Sequence, residues 1–488
     1  MNYRMLKYTL GLILIFEAAF FLVPTVTAIC YGEWWPMWSF VITAGICLGV
    51  GTFLSFKKPA NMKLYAKDGF VIVSLSWIII SLFGALPFVI SGAIPSYIDA
   101  LFETVSGFTT TGSSILSDVE ALPKSVLIWR SFTHWIGGMG VLVFVMAILP
   151  LSGARNMHIM RAESPGPEVS KLVPRVRKTA LILYAIYFAL TVITFLFLVV
   201  DMSVFEALNT AFSVAGTGGF GFRNDSMNSF SPYVKIICTV FMLLFSVNFN
   251  SYYLILKGKL KDAFNSEVRV FFLIVLIAGG IITANLLIVG QNGADTLGDA
   301  LLNSFFTVAS LVSTTGFSTL DFNLWPSVSQ ILLLLVMFVG ACAGSTGGGF
   351  KVSRIVILLK GVTKEVRTQL NPREIKKITI DKRPVEHEVI RTVNAYLVTY
   401  FLIFVTSFLL VCFDSAVISG TGNALVTNFT AVLATFNNVG PGLEMVGPTS
   451  NFGFYSPFSK IVFIFTMLAG RLELFPMLLL FNLSTWKK

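Results

Sequence analysis

Charge is what this sequence has least of. Of its 488 residues 12% are charged and 55% hydrophobic, and the mean hydropathy is +0.80. Too little polar surface remains to cover a globule in water, so a membrane is the natural solvent. Histidine is scarcer still, and His134, His158 and His387 have no metal-ligand spacing. The five cysteines, Cys30, Cys47, Cys238, Cys342 and Cys412, fall in or at the ends of apolar stretches without metal spacing and read as small core hydrophobes. Gly298-Asp299 has the look of an intramembrane aspartyl protease, but no second aspartate lies inside a span to complete a dyad. Asp299 reads instead as the cap of a short helix. The apolar run after Met1 to Lys7 lacks the small-residue cleavage pattern of a secretory signal and reads as a retained first helix.

What is present in abundance is the apolar window of about 20 residues, long enough to cross a hydrocarbon core of roughly 30 Å as a helix. Such windows place spans near 8 to 30, 36 to 56, 69 to 92, 126 to 150, 179 to 200, 232 to 256, 269 to 290, 328 to 360, 389 to 413 and 457 to 484. The net charge of +10 could suggest a nucleic-acid partner, yet most of the 35 Lys and Arg occupy alternate connections. These are Arg4 and Lys7, Lys57 to Lys67, Arg155 to Lys178, Lys257 to Arg269, Lys351 to Arg391, and Lys487 with Lys488. By the positive-inside rule, both termini face the cytoplasm and no nucleic acid is needed to explain the charge.

The remaining connections each contain a moderately apolar segment too short to span, followed by Gly, Thr or Asn, which is the pattern of a re-entrant loop. DALFETVSGFTTTGSS from Asp99 aligns without a gap on EALNTAFSVAGTGGFG from Glu206, placing Gly112 on Gly219. SFFTVASLVSTTGFST from Ser304 lies over NFTAVLATFNNVGPGL from Asn428, placing Gly316 on Gly440. The predicted fold is an all-α integral membrane protein: four pseudo-repeated helix, pore loop, helix units around one pore, preceded by two extra transmembrane helices. The units are 1–68 for the leading helices, then 69–178, 179–268, 269–388 and 389–488.

Non-helical backbone at membrane depth is tolerated only where protein buries it or water lines it, so the four loops must meet on a common axis. A glycine at each turn allows neighbouring carbonyls to point inward together, and a ring of carbonyls replaces a cation's water shell. Each short helix adds roughly half an elementary negative charge at its C-terminal end. The predicted ion-binding residues are Thr110, Thr111 and Gly112; Thr217, Gly218 and Gly219; Thr314, Thr315 and Gly316; and Asn438, Val439 and Gly440. No ring of Asp or Glu accompanies them, so a weakly held monovalent ion fits better than a divalent one.

The span from 328 to 360 is too long for one crossing, and its centre bunches Gly344, Ser345, Thr346, Gly347, Gly348 and Gly349. Helix propensity falls there by about 1 kcal/mol per glycine, which predicts a broken helix whose loop crosses the pore beneath the turns as a gate. Small-residue helix packing is the plainer reading, but such sites space small residues four apart and do not bunch them. A phosphate-binding loop lacks its Gly-Lys-Ser/Thr ending. Arg471 stands inside the last helix, where an unpaired cation costs at least roughly 2.5 to 3.5 kcal/mol. Glu473, two residues away, is on another face, so a partner from another helix is expected.

Together the repeated turns, GSTGGGFKVSR from Gly344 and AGRLELFP from Ala469 resemble the TrkH subunits of bacterial Trk potassium uptake systems, relatives of KtrB and the plant HKT transporters. The two leading helices resemble TrkH, since KtrB proteins lack them. The resemblance implies potassium (K+) as the transported ion and one pore per subunit of a homodimer in the bacterial inner membrane. It also implies a cytosolic ring of nucleotide-binding TrkA regulatory subunits, and a barrier role for Arg471 beside the gate residues. Part of the basic segment from Lys351 to Arg391, including Lys364, Arg367, Arg373, Lys376, Lys377, Lys382 and Arg383, is expected to dock that ring. Sodium-favouring relatives often carry serine at the first filter glycine; this chain keeps Gly112. The competing readings are an alternating-access symporter built on broken helices and an intramembrane enzyme, for which the sequence offers little.

Overall fold

The computed structural model describes residues 1–60, 65–140, 176–290, 293–372, 377–381, 383–414 and 423–486. Among them the chain is helical, apart from a hairpin of β1 (Thr379–Ile380) and β2 (Arg383–Pro384). Helices α1 (Tyr3–Phe20) and α2 (Leu22–Tyr31) form one apolar rod, and α3 (Trp34–Ser55) returns beside it. The chain continues through α4 (Ala66–Gly84), α5 (Leu86–Ser91), α6 (Tyr97–Phe108), α7 (Lys124–Gly138), α8 (Val176–Leu198), α9 (Val204–Gly216), α10 (Pro232–Phe245) and α11 (Phe249–Leu256). The second half consists of α12 (Ser266–Val289), α13 (Leu297–Val312), α14 (Ser327–Val339), α15 (Val352–Leu370), α16 (His387–Asp414), α17 (Ala424–Phe436), α18 (Pro457–Arg471) and α19 (Phe475–Phe481).

Six helical segments among the described residues are long and apolar enough to cross a bilayer, or seven if α10 and α11 count as one. The protein is a multi-pass membrane protein. Its outward faces carry large exposed apolar side chains, among them Phe53, Leu276 and Phe401. Lipid tails, not water, are the medium in which such surfaces are stable.

Three expected spans are not continuous rods. The stretch 232–256 bends by 89° between α10 and α11, a break the sequence reading missed because Ser246, Val247 and Asn248 include neither Gly nor Pro. The stretch 328–360 leaves helix between Val339 and Val352. The stretch 457–484 is interrupted at Leu472, Glu473 and Leu474, the last two with φ of 63° and 62°. The second half of the expected 126–150 span, most of Arg155 to Lys178 with His158, and Arg373, Lys376, Lys382, Lys487 and Lys488 lie outside the described residues.

Local chemistry sets the short helices. Ser96, Ser203 and Thr296 cap α6, α9 and α13 by accepting from the N–H of Asp99, Glu206 and Asp299. The expectation that Asp299 is itself the cap is therefore corrected: Thr296 is the cap, and Asp299 sits in the first turn, where an acid suits the helix dipole. Cys47, Cys238 and Cys342 are buried as expected of core residues, whereas Cys30 is exposed.

The leading hairpin depends on two glycines. A methyl group added at Gly11 would stand 2.6 Å from the Gly51 carbonyl oxygen, and one at Gly51 would stand 2.8 Å from that of Gly11. Such close contact is how helices associate when lipid supplies no hydrophobic drive. Gly49 faces open space. Gly51→Leu is expected to destabilise the detergent-purified protein by about 1–3 kcal/mol, with Gly49→Leu near neutral; equal melting temperatures for the two variants would refute the contact.

Candidate functional site

Each of α6, α9, α13 and α17 ends in a turn with the same backbone. Thr110, Thr217, Thr314 and Asn438 have φ of 56°, 54°, 61° and 55°, and Gly112, Gly219, Gly316 and Gly440 have φ of 81°, 77°, 85° and 101°. The first four are non-glycine residues in the left-handed region, which β-branched threonine rarely enters. A pair of hydrogen bonds holds each of them there. The following residue's N–H donates five positions back: Thr111 to Ser106, Gly218 to Ser213, Thr315 to Ser310 and Val439 to Ala434, at 2.8–2.9 Å. Thr110, Thr217, Thr314 and Asn438 donate three positions back. This is the Schellman ending of a helix, used four times.

The four turns close on one another. A methyl added at Gly112 would lie 2.0 Å from the Gly218 carbonyl oxygen, and one at Gly219 would lie 1.9 Å from that of Thr315. At Gly316 the neighbour is the Val439 oxygen at 2.2 Å, and at Gly440 it is the Thr111 oxygen at 2.8 Å. Each glycine thus packs against the middle carbonyl of the next turn, and the fourth returns to the first. All twelve residues singled out in the sequence fall in these turns. A cavity of about 180 Å³ opens over one side of the ring, its wall including all four turn glycines.

The hydroxyls are mostly committed locally. Thr111 pairs with Thr109 and Thr315 with Ser313, each at 2.7 Å. Thr217 bonds the Gly216 carbonyl, and the Thr110 hydroxyl is buried without a partner among the described residues. Asn438 breaks the chemical symmetry, because its Nδ2 donates to Thr111 Oγ1 at 3.0 Å and to the Met467 carbonyl at 2.9 Å.

Under the ring lies the glycine-rich stretch between α14 and α15. Gly348 N–H donates to Thr314 Oγ1 at 2.6 Å, and Gly349 N–H to the Asn437 carbonyl at 3.0 Å. Thr346 and Cys342 donate to the carbonyls of Phe245 and Ser246, which are available because α10 stops there. The bend between α10 and α11 therefore supplies acceptors for the loop. Gly347 and Gly348 have backbone carbonyls where a side chain would begin.

Arg471 joins this loop to α7. It donates to the Thr346 carbonyl at 2.7 Å and to those of Gly137 and Gly138 at 2.6 and 2.8 Å. These partners come from other elements, as expected, and each is a backbone carbonyl. Glu473 pairs with Arg354, and the Lys351 ammonium folds back onto the Gly347 carbonyl.

Sequence reading missed several residues that hold the site. Glu103 of α6 and Arg130 of α7 form a buried ion pair at 2.7 Å. Glu103 also receives Ser114 and Ile115 of the segment beyond turn one, while Arg130 donates to the Gly221 carbonyl beyond turn two at 3.0 Å. His134 has one ring nitrogen 2.8 Å from the Gly107 carbonyl, and the other accepts the Phe220 N–H at 3.1 Å. Lys460 reaches Asp99 at 2.6 Å, tying α18 to the start of α6. The available signal was an ionisable residue inside an apolar segment, which requires a partner.

A sequence model of the TrkH family, described as a cation transport protein, matches residues 38–487. The chain is similar to the Trk system potassium uptake proteins TrkH of Halomonas elongata and Salmonella typhimurium, 34% identical to each with both chains covered in full. It is also similar to the crystal structure of the potassium transporter TrkH from Vibrio parahaemolyticus, with a TM-score of 0.86, 32% identity and complete coverage of both chains.

Removing one member of the Glu103–Arg130 pair strands a buried charge at a cost of about 3–5 kcal/mol. Glu103→Ala is expected to lower the melting temperature strongly, and adding Arg130→Met to recover part of the loss. An unchanged melting temperature in the single variant would count against the pairing.

Proposed function

The chain belongs to the TrkH family of cation transport proteins, and from that premise we propose that it conducts K+ into the cell across the bacterial inner membrane. The observation that carries this reading is the closed ring of turns, in which each glycine packs against the middle carbonyl of the next. On this reading the four helix, short helix, helix units (69–178, 179–268, 269–388 and 389–488) surround one pore, with 1–68 packed outside.

The ring acts as a selectivity filter. Schellman bonds consume the last helical carbonyls, so the oxygens of Thr111, Gly218, Thr315 and Val439 are left for a dehydrated ion. Four helix C-termini add negative potential at the same place. The outer cavity collects hydrated ions, and the two arginines on its wall are neutralised there, Arg130 by Glu103 and Arg223 by Glu206. The filter is tuned for K+, with the relatives' names as support.

The loop from Gly344 to Gly349 is the gate, drawn closed, and Arg471 is both its latch and an electrostatic barrier under the filter. Opening requires the loop to give up its bonds to Phe245, Thr314, Asn437 and Arg471. A cytosolic nucleotide-binding ring of the TrkA type drives that opening, two copies of the chain form the transporting unit, and both termini face the cytoplasm.

In proteoliposomes, radioactive rubidium uptake is expected to be competed by K+ and not by sodium; equal competition by the two would overturn the assigned selectivity. Gly219→Ala places a methyl on the Thr315 carbonyl and is expected to reduce uptake at least about tenfold, since displacing the ring by 1.4 kcal/mol or more is tenfold in rate. Uptake at the parental level would remove the ring from the conduction path. Arg471→Ala, which unlatches the loop and removes a cation, is expected to raise uptake in the absence of the regulatory ring, and a fall would refute the barrier role.

A further inference from the structure

Helix α15 starts buried beneath the ring, but its second half leaves the protein with an unpartnered apolar stripe. Leu359, Val362, Val366 and Leu370 are 62%, 64%, 55% and 74% exposed, and their spacing puts them on one helical face. Beside that stripe Lys360, Lys364 and Arg367 line a cavity of about 450 Å³, closed opposite by Lys377, Ile378 and Thr379. No carboxylate lines it among the described residues. The Lys360 ammonium is held over the cavity by the Thr379 carbonyl at 2.7 Å. Four cations therefore converge on one space that no acid lines among the described residues, a positive concavity suited to an anion.

The depth of the cavity identifies the anion. The hairpin that forms its wall is fastened by Asp381 to the N-terminus of α12, accepting the Ser266 N–H at 3.0 Å and pairing with Arg269 at 3.3 Å. Three residues beyond β2 the chain enters α16 at His387. Ser266 and His387 are the first residues of two membrane-spanning helices, so the cavity lies level with the bilayer surface. An amphipathic helix at that depth puts its apolar stripe into the acyl boundary and its cations among the phosphates.

We infer that this cavity binds the phosphate headgroup of an anionic phospholipid, whose acyl chains run along Leu359, Val362, Val366 and Leu370. The sequence reading assigned part of this basic stretch to the regulatory ring, but an acidic protein surface would leave the apolar stripe bare. A second copy of the chain could cover the stripe but would leave the four cations uncompensated. The inference is independent of which ion the protein conducts.

The test uses native mass spectrometry of the delipidated full-length protein with added phosphatidylglycerol or phosphatidylcholine. Phosphatidylglycerol is expected to be retained preferentially. Combining Lys360→Gln, Lys364→Gln and Arg367→Gln should weaken that retention about fivefold per residue removed. Lys364→Gln alone gives the same direction should the triple variant fail to fold. Equal retention of the two lipids, or phosphatidylglycerol retention unchanged by the substitutions, overturns the proposal. Full displacement of the lipid by inorganic phosphate would assign the cavity to a soluble anion. Loss of co-purification with the regulatory ring while phosphatidylglycerol binding persists would assign it to a protein partner.

Discussion

Backbone that leaves the helical state inside hydrocarbon has to find partners for its own N–H and C=O groups, and the rest of this molecule is arranged around that requirement. Four helices stop short and end in Schellman turns, which satisfy the last helical carbonyls by bonds within each turn. The cost is a threonine or asparagine forced to positive φ, roughly 1–2 kcal/mol each. Mutual packing offsets that strain, because each turn can exist only where the next one covers it. The glycines are needed for the same reason, since a single methyl at Gly112 or Gly219 would overlap the neighbouring carbonyl.

The glycine-rich loop obeys the same accounting in a less regular way. Its N–H groups are taken up by Phe245, Ser246, Thr314 and Asn437, groups that are free only because another helix has bent or ended. The bend between α10 and α11 and the loop between α14 and α15 are therefore one feature seen from two segments. Fixed cations complete it: Arg471 gathers three carbonyls from α7 and the loop, and Lys351 takes a fourth. Moving the loop means breaking these contacts together, which favours two arrangements over a continuum.

Buried ion pairs position the outer half of the site. Glu103 and Arg130 connect the segments beyond turns one and two, and Lys460 with Asp99 connects α18 to α6. Replacing such pairs by apolar residues would cost little in stability, so their value lies in register: they fix which segment follows which around the ring. The basic cavity on α15 is a contrasting case, four cations lined by no acid among the described residues, and on the inference drawn above its counter-charge comes from the surroundings.

Much was legible in the residues themselves. Apolar windows marked the membrane and most of the helices, and aligned Thr-Gly and Asn-Val-Gly tripeptides marked the turns. The bunched glycines at 344–349 marked a break in a helix. These are local signals, because length, propensity and the freedom of glycine act within a few residues. The 89° bend at 246–248, the partners of Arg471 and Glu473, the Glu103–Arg130 bridge and the two-sided grip of His134 were not legible. Each is a choice among partners remote in the chain, made by which polar groups happen to be unpaired nearby once the helices have packed. The sequence alone thus determined that this chain lives in a membrane and where its helices must stop; only the tertiary structure decided what those interrupted ends bond to, because hydrogen bonds in a low dielectric are satisfied across space and not along the chain.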